Sequence, residues 1–133
     1  MDDGRVAVTA CYRVFAAYRF DGGCLEGADG LGPLETRLLR LTPPSEIPSD
    51  LLASYLAALP DTIEGRARDD FRALLPRLAE LVLDGALPAR GLYDALARAG
   101  FPDGWLAGEA DVLRRVVAAL GPPAVEPATQ ARD

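Results

Sequence analysis

Apolar positions recur at three- and four-residue spacing along most of this chain, and that period predicts helices. The clearest case is 65–83. There Ala67, Phe71, Leu74, Leu75, Leu78 and Val82 make one side, while Asp69, Asp70, Arg72, Arg77 and Glu80 take the other. Pro76 falls inside this run. It lacks an N–H and crowds the carbonyl four residues back, so a kink near Arg72 is expected in preference to a break into two helices. Asp84-Gly85 is a natural stop.

The remaining elements read in the same way. Segment 6–20 fits a helix through Ala7, Ala10, Cys11, Val14, Phe15 and Tyr18, and also alternates at period two. Its length and alanines favour helix. A helix over 34–41 places Leu34, Leu38, Leu39 and Leu41 inward. Ile47 before Pro48 is extended, and Ser49 is a suitable N-cap for a helix over 50–59 with Leu51, Leu52, Tyr55, Leu56 and Leu59 as its stripe. Pro88 opens a helix that ends at Gly100. The last helix, 108–120, carries Val112, Leu113, Val116, Val117 and Leu120 and stops at Gly121-Pro-Pro. No strand pair and no internal repeat is read. The fold expected is all-α, a compact bundle of five to six short helices in one domain over 1–121, followed by a tail without fixed structure over 122–133.

Between the first two helices lies a long loop, 21–33, with five glycines and one proline in thirteen residues. Such a composition sustains neither helix nor strand. No Gly-Lys-Ser/Thr follows it, so it does not read as a phosphate loop.

Composition narrows the chemistry. The chain has 133 residues and a net charge of −6, which disfavours a nucleic-acid partner and suits a basic protein. All 14 basic residues are arginine, a bias that fits a GC-rich genome. There is no histidine, which excludes Ser-His-Asp and Cys-His catalysis and imidazole ligation. Two cysteines, Cys11 and Cys24, are too few for a closed zinc site. Cys24 has Asp21 and Glu26 near it, which oppose a reactive thiolate. No apolar run nears membrane-spanning length, and the acidic Met-Asp-Asp-Gly start is unlike a signal peptide, so the cytoplasm is the expected location.

Four segments resemble a family of uncharacterised bacterial helical proteins: 12–20 (Tyr-Arg-Val-Phe-Ala-Ala-Tyr-Arg-Phe), 38–43 (Leu-Leu-Arg-Leu-Thr-Pro), 47–55 (Ile-Pro-Ser-Asp-Leu-Leu-Ala-Ser-Tyr) and 69–78 (Asp-Asp-Phe-Arg-Ala-Leu-Leu-Pro-Arg-Leu). The likeness covers residues 12–83, and it implies a helical fold with no activity to carry over. Members of that family often hold a cysteine cluster after the first helix. This chain has only Cys24 there, so if the cluster binds a metal in relatives, the resemblance implies a scaffold that has lost it.

Candidate functional residues follow from charge and exposure. Residues 42–86 hold eight acids against four arginines, a local charge of −4. Glu64, Asp69, Asp70 and Glu80, with Tyr18 and Trp105, are the candidate partner-binding set, because tyrosine, tryptophan and arginine dominate interface hot spots. Arg13 and Arg19 flank Tyr18. The bland reading of the acids is a solvated helix face, and of Trp105 a core cap whose N–H finds a backbone acceptor. The function expected is a non-catalytic interaction module, an immunity- or inhibitor-like partner of a toxin or effector, with no cofactor. The rival is a carboxylate- or Cys24-based metal site or enzyme, which convergence of Glu64, Asp70 or Asp84 on a pocket would favour. Adjacent Asp69 and Asp70 point about 100° apart on a helix and do not converge as a metal pair would.

Overall fold

A computed structural model describes residues 3–22 and 32–120, which form six α-helices and a single 3₁₀ turn, with no strand among them. The helices are α1 (Asp3–Val14), α2 (Pro33–Leu41), α3 (Ser49–Ala57), α4 (Arg66–Leu83), α5 (Ala89–Arg98) and α6 (Ala107–Leu120), with the 3₁₀ turn at Pro44–Glu46. Cys24, most of the glycine-rich loop and the expected tail lie outside the described residues.

The middle of α4 is the centre of the bundle. Phe71, Leu74, Leu75, Leu78 and Ala79 are buried, as are Asp70 and Arg72. The helices α1, α5 and α6 and the 3₁₀ turn all pack against it, while α1 and α6 pair along their lengths. Their pairing is antiparallel. Val6 and Ala7 lie beside Arg115, Ala118 and Ala119 at one end, and Tyr18 reaches Glu109 at the other.

α4 runs unbroken through Pro76, which leaves the Arg72 carbonyl without its helical donor. It ends as Asp84-Gly85 predicts. Gly85 takes φ +82°, and the N–H of Ala86 donates to the Leu81 carbonyl, a closure that needs the left-handed region glycine occupies freely. α5 closes identically through Gly100, with Phe101 N–H on the Leu96 carbonyl. α3 begins at Ser49 with Pro48 preceding it, so Ser49 makes no side-chain cap.

Two expectations are corrected. The helix read over 6–20 stops at Val14. Residues 15–17 turn, and Tyr18–Gly22 follow outside any helix, where Asp70 of α4 accepts the backbone N–H groups of Asp21 and Gly22 at 2.8 and 3.0 Å. A buried carboxylate thus captures donors that a longer helix would have used internally. The second correction concerns α2. Of the four leucines read as inward, only Leu39 is buried. Leu34, Leu38 and Leu41 are 65%, 44% and 67% exposed. The core side of α2 is made instead by Thr36 and Leu39.

Candidate interaction surface

The six sequence-predicted residues divide between interior and surface. Asp70 is inside, only 3% exposed, holding the strap after α1. Burial pushes its carboxyl above the ordinary aspartate range, and the two backbone N–H groups pull it part of the way back. Trp105 is also interior. Its ring packs edge-on against Phe15, Phe71 and Phe101, and its indole N–H donates to the Ala99 carbonyl at 3.2 Å. This is the core-cap role. An indole enclosed by three rings is not presented to a partner.

Glu80 is half-buried and saturated. It accepts from the Tyr12 hydroxyl at 2.6 Å and from Arg77 at 2.9 Å, and Arg5 stands 3.7 Å away. Burial alone would raise its carboxyl, but the Tyr12 and Arg77 hydrogen bonds and the charges of Arg77 and Arg5 bring it below the usual glutamate value. Tyr18 donates to buried Glu109 and lies under the Arg72 guanidinium. Asp69 is exposed but hydrogen-bonded to Arg72 at 2.9 Å. Glu64 is exposed, one residue before the Gly65 that opens α4. The expected acidic face is therefore not assembled as one patch.

Sequence reasoning did not anticipate the interior ion site behind these residues. Arg72 is sandwiched between Trp105 and Tyr18, 4.5 and 5.4 Å from the ring centroids. It also donates to the Gly104 carbonyl at 3.2 Å and lies 3.4 Å from Glu109. Glu109 in turn accepts the Leu106 N–H at 3.1 Å. The two charges are matched and enclosed, so the assembly locks α4, α6 and the strap together.

Shallow depressions open on the surface, among them a small one of about 220 Å³ between α3 and α5 at Leu56, Gly91 and Arg98. A second, of about 210 Å³, lies over Pro76 between Tyr12, Phe15, Tyr18, Arg19 and Pro44. That is below the roughly 300 Å³ at which small-molecule sites begin, and both tyrosine hydroxyls are already donated to carboxylates. Another, of about 340 Å³, lies between α1 and α6 at the far end of that pair from Glu109, lined among the described residues by Val6, Ala7, Arg115, Ala118 and Ala119. Among the described residues, no three His, Cys, Asp or Glu side chains converge to hold a metal ion, so Glu64, Asp70 and Asp84 do not come together as a metal cluster. No helix among them is long and apolar enough to cross a membrane.

What remains is α2. At about 100° per residue, Leu34, Leu38 and Leu41 fall within a sector of roughly 60°, opposite the sector of Thr36 and Leu39. The helix is held by its other side. Glu35 accepts the Gly32 N–H at 3.1 Å, Thr36 packs at Gly22, and Arg40 clasps the Asp21 carbonyl with two N–H groups at 3.0 and 2.9 Å. The leucine sector thus points away from everything that anchors the helix. Comparison of the chain with protein-family models, curated proteins and solved structures finds no match.

Proposed function

We propose that this chain is a non-catalytic protein-interaction domain, most concretely an inhibitor- or immunity-like partner of a bacterial toxin or effector. The observation that carries it is the exposed leucine stripe of α2. Burying a leucine is worth roughly 1.5–3 kcal/mol, and three left in solvent on one stripe of a nine-residue helix are a gain reserved for association. Single exposed apolar residues are ordinary, whereas an aligned stripe marks a contact surface. The enclosed Arg72–Glu109 pair and the saturated Glu80 fit a rigid scaffold better than a reaction centre.

The test compares the intact chain with a Leu34→Ser/Leu38→Ser/Leu41→Ser variant as bait in extracts of the native host, followed by reconstitution of the captured protein from purified components. The expected result is one stoichiometric partner that forms a purified complex with the intact chain and not with the variant. Equal complex formation by both would remove α2 from the reading. Turnover of a small substrate by the purified chain would overturn it entirely.

A further inference from the structure

The geometry points to the kind of element that covers α2: an amphipathic helix of another protein whose leucine-type stripe is bordered by carboxylates. This inference rests on the interaction reading above and specifies its partner.

Leu34, Leu38 and Leu41 have the 4-then-3 spacing of a coiled-coil seam, so the natural complement is a second helix laid along α2. The charges beside that seam are unequal. Arg37 lies about 60–70° from the centre of the stripe, close enough to reach over a docked helix, with Arg40 behind it on the same flank. Arg37 is exposed and has no ion-pair partner among the described residues. On the opposite flank, Glu35 is turned back to accept the Gly32 N–H. The border offered to a partner is therefore cationic, on a chain whose net charge is −6.

This asymmetry also disfavours an antiparallel second copy of the chain, and a parallel one would have to set Arg37 against a Glu35 that is already held by the Gly32 N–H. In an antiparallel pairing of two α2 helices, like flanks meet, and Arg37 would oppose Arg37. An acidic helix meets the same flank with attraction.

Two synthetic helices of about three heptads serve as probes. Both carry leucine at the a and d positions, one with glutamate and the other with lysine at e and g. Binding to the full chain is read by fluorescence anisotropy at low salt, alongside sedimentation of the chain alone. The glutamate peptide is expected to bind at least about threefold more tightly than the lysine peptide, as an exposed ion pair allows. Arg37→Glu is expected to reverse that order, and Leu38→Glu to abolish binding of both. If both peptides bind equally well and Arg37→Glu changes nothing, the acidic-partner inference fails while α2 stands as a docking surface. If neither binds, the docking reading fails with it. A dimer in sedimentation that Leu38→Glu dissolves would assign the stripe to a second copy and overturn the inference.

Discussion

Arg72 of α4 and Glu109 of α6 form an ion pair in the protein interior, Nε to Oε1 3.4 Å, with side chains 10% and 3% exposed. Arg72 Nε makes no aligned hydrogen bond, so the link at that atom is electrostatic. Removing one member leaves the other charge buried without its counterpart. Arg72→Ala is expected to cost about 3–5 kcal/mol, whereas Arg72→Met combined with Glu109→Leu recovers most of that loss, because the desolvation penalty disappears with both charges. Urea denaturation of the two singles and the double checks this. A double variant as unstable as Arg72→Ala would show that packing on Trp105, not charge balance, is what Arg72 supplies.

Gly22 and Thr36 fix how α2 sits on the strap. Gly22 has φ +81°, and a Cβ there would stand 2.5 Å from Thr36 Cγ2. Gly22→Ala therefore meets both backbone strain and a clash, and a loss of about 1–3 kcal/mol is expected. Thr36→Ser deletes Cγ2 and keeps the hydroxyl that donates to the Gly32 carbonyl at 3.0 Å. In the Gly22→Ala background it should restore the part of the stability lost to the Thr36 contact, and leave the φ share and the 2.9 Å contact with the Phe20 ring. Thermal melts of the cycle separate the two. Additive losses would mean that the contact is not the source of the cost.

Hydropathy spacing carried most of the architecture. The α4 stripe and the glycine stops at Gly85 and Gly100 follow local rules that act within one or two helical turns, whereas Trp105, placed in the partner-binding set, is a core cap. The misses have a common cause. Tyr18 and Phe20 have side chains a helix tolerates, but their backbone conformation is set by Asp70, 48 and 49 residues along from the donors it captures at Gly22 and Asp21. In the same way, no local rule says that Leu39 rather than Leu38 turns inward, since a short helix with leucines on both sides has two usable apolar faces. Only the packing partner chooses between them. Asp70 read as surface because a carboxylate is normally solvated; two backbone donors reverse that expectation.

Glu80 gives stability a pH dependence of known sign. Its carboxyl is held below the ordinary glutamate value in the folded chain, so its contribution is present above the unfolded value of about 4.5 and is lost as pH falls through the folded one. Glu80→Gln is expected to be less stable than the intact chain near neutrality by about 1–2 kcal/mol, the scale of a charge-assisted hydrogen bond. The gap should close as pH falls below the folded value, where the carboxyl is protonated in both states. Asp70 acts in the opposite sense, since its folded value is raised, and its share declines as pH climbs through that value. Denaturation midpoints for both chains across this range decide the matter. A gap that is constant with pH would mean that Glu80 acts through shape alone.

Cys11 is fully buried in α1, and burial pushes its thiol up to about 12. In a Cys24→Ser background, this thiol is expected to resist a disulfide reagent in the native state and to react stoichiometrically once denaturant unfolds the chain, because only an exposed thiolate attacks. Rapid native labelling would show that α1 opens from the bundle far more readily than its packing against α4 and α6 implies.

Leu34, Leu38 and Leu41 differ from Leu39 in what they do for the isolated chain. Leu39 is enclosed, and Leu39→Ala is expected to cost about 2–4 kcal/mol through lost transfer energy and the cavity left behind. The three stripe leucines are solvated at 44–67% of their surface, so the triple serine variant should melt near the intact chain, each site shifting stability by about 0.5 kcal/mol or less. Calorimetry of the two variants, run at equal dilute concentration, measures the contrast directly. If the triple variant falls as far as Leu39→Ala, the stripe is packed within the chain itself, and the surface assigned to a partner is part of the core.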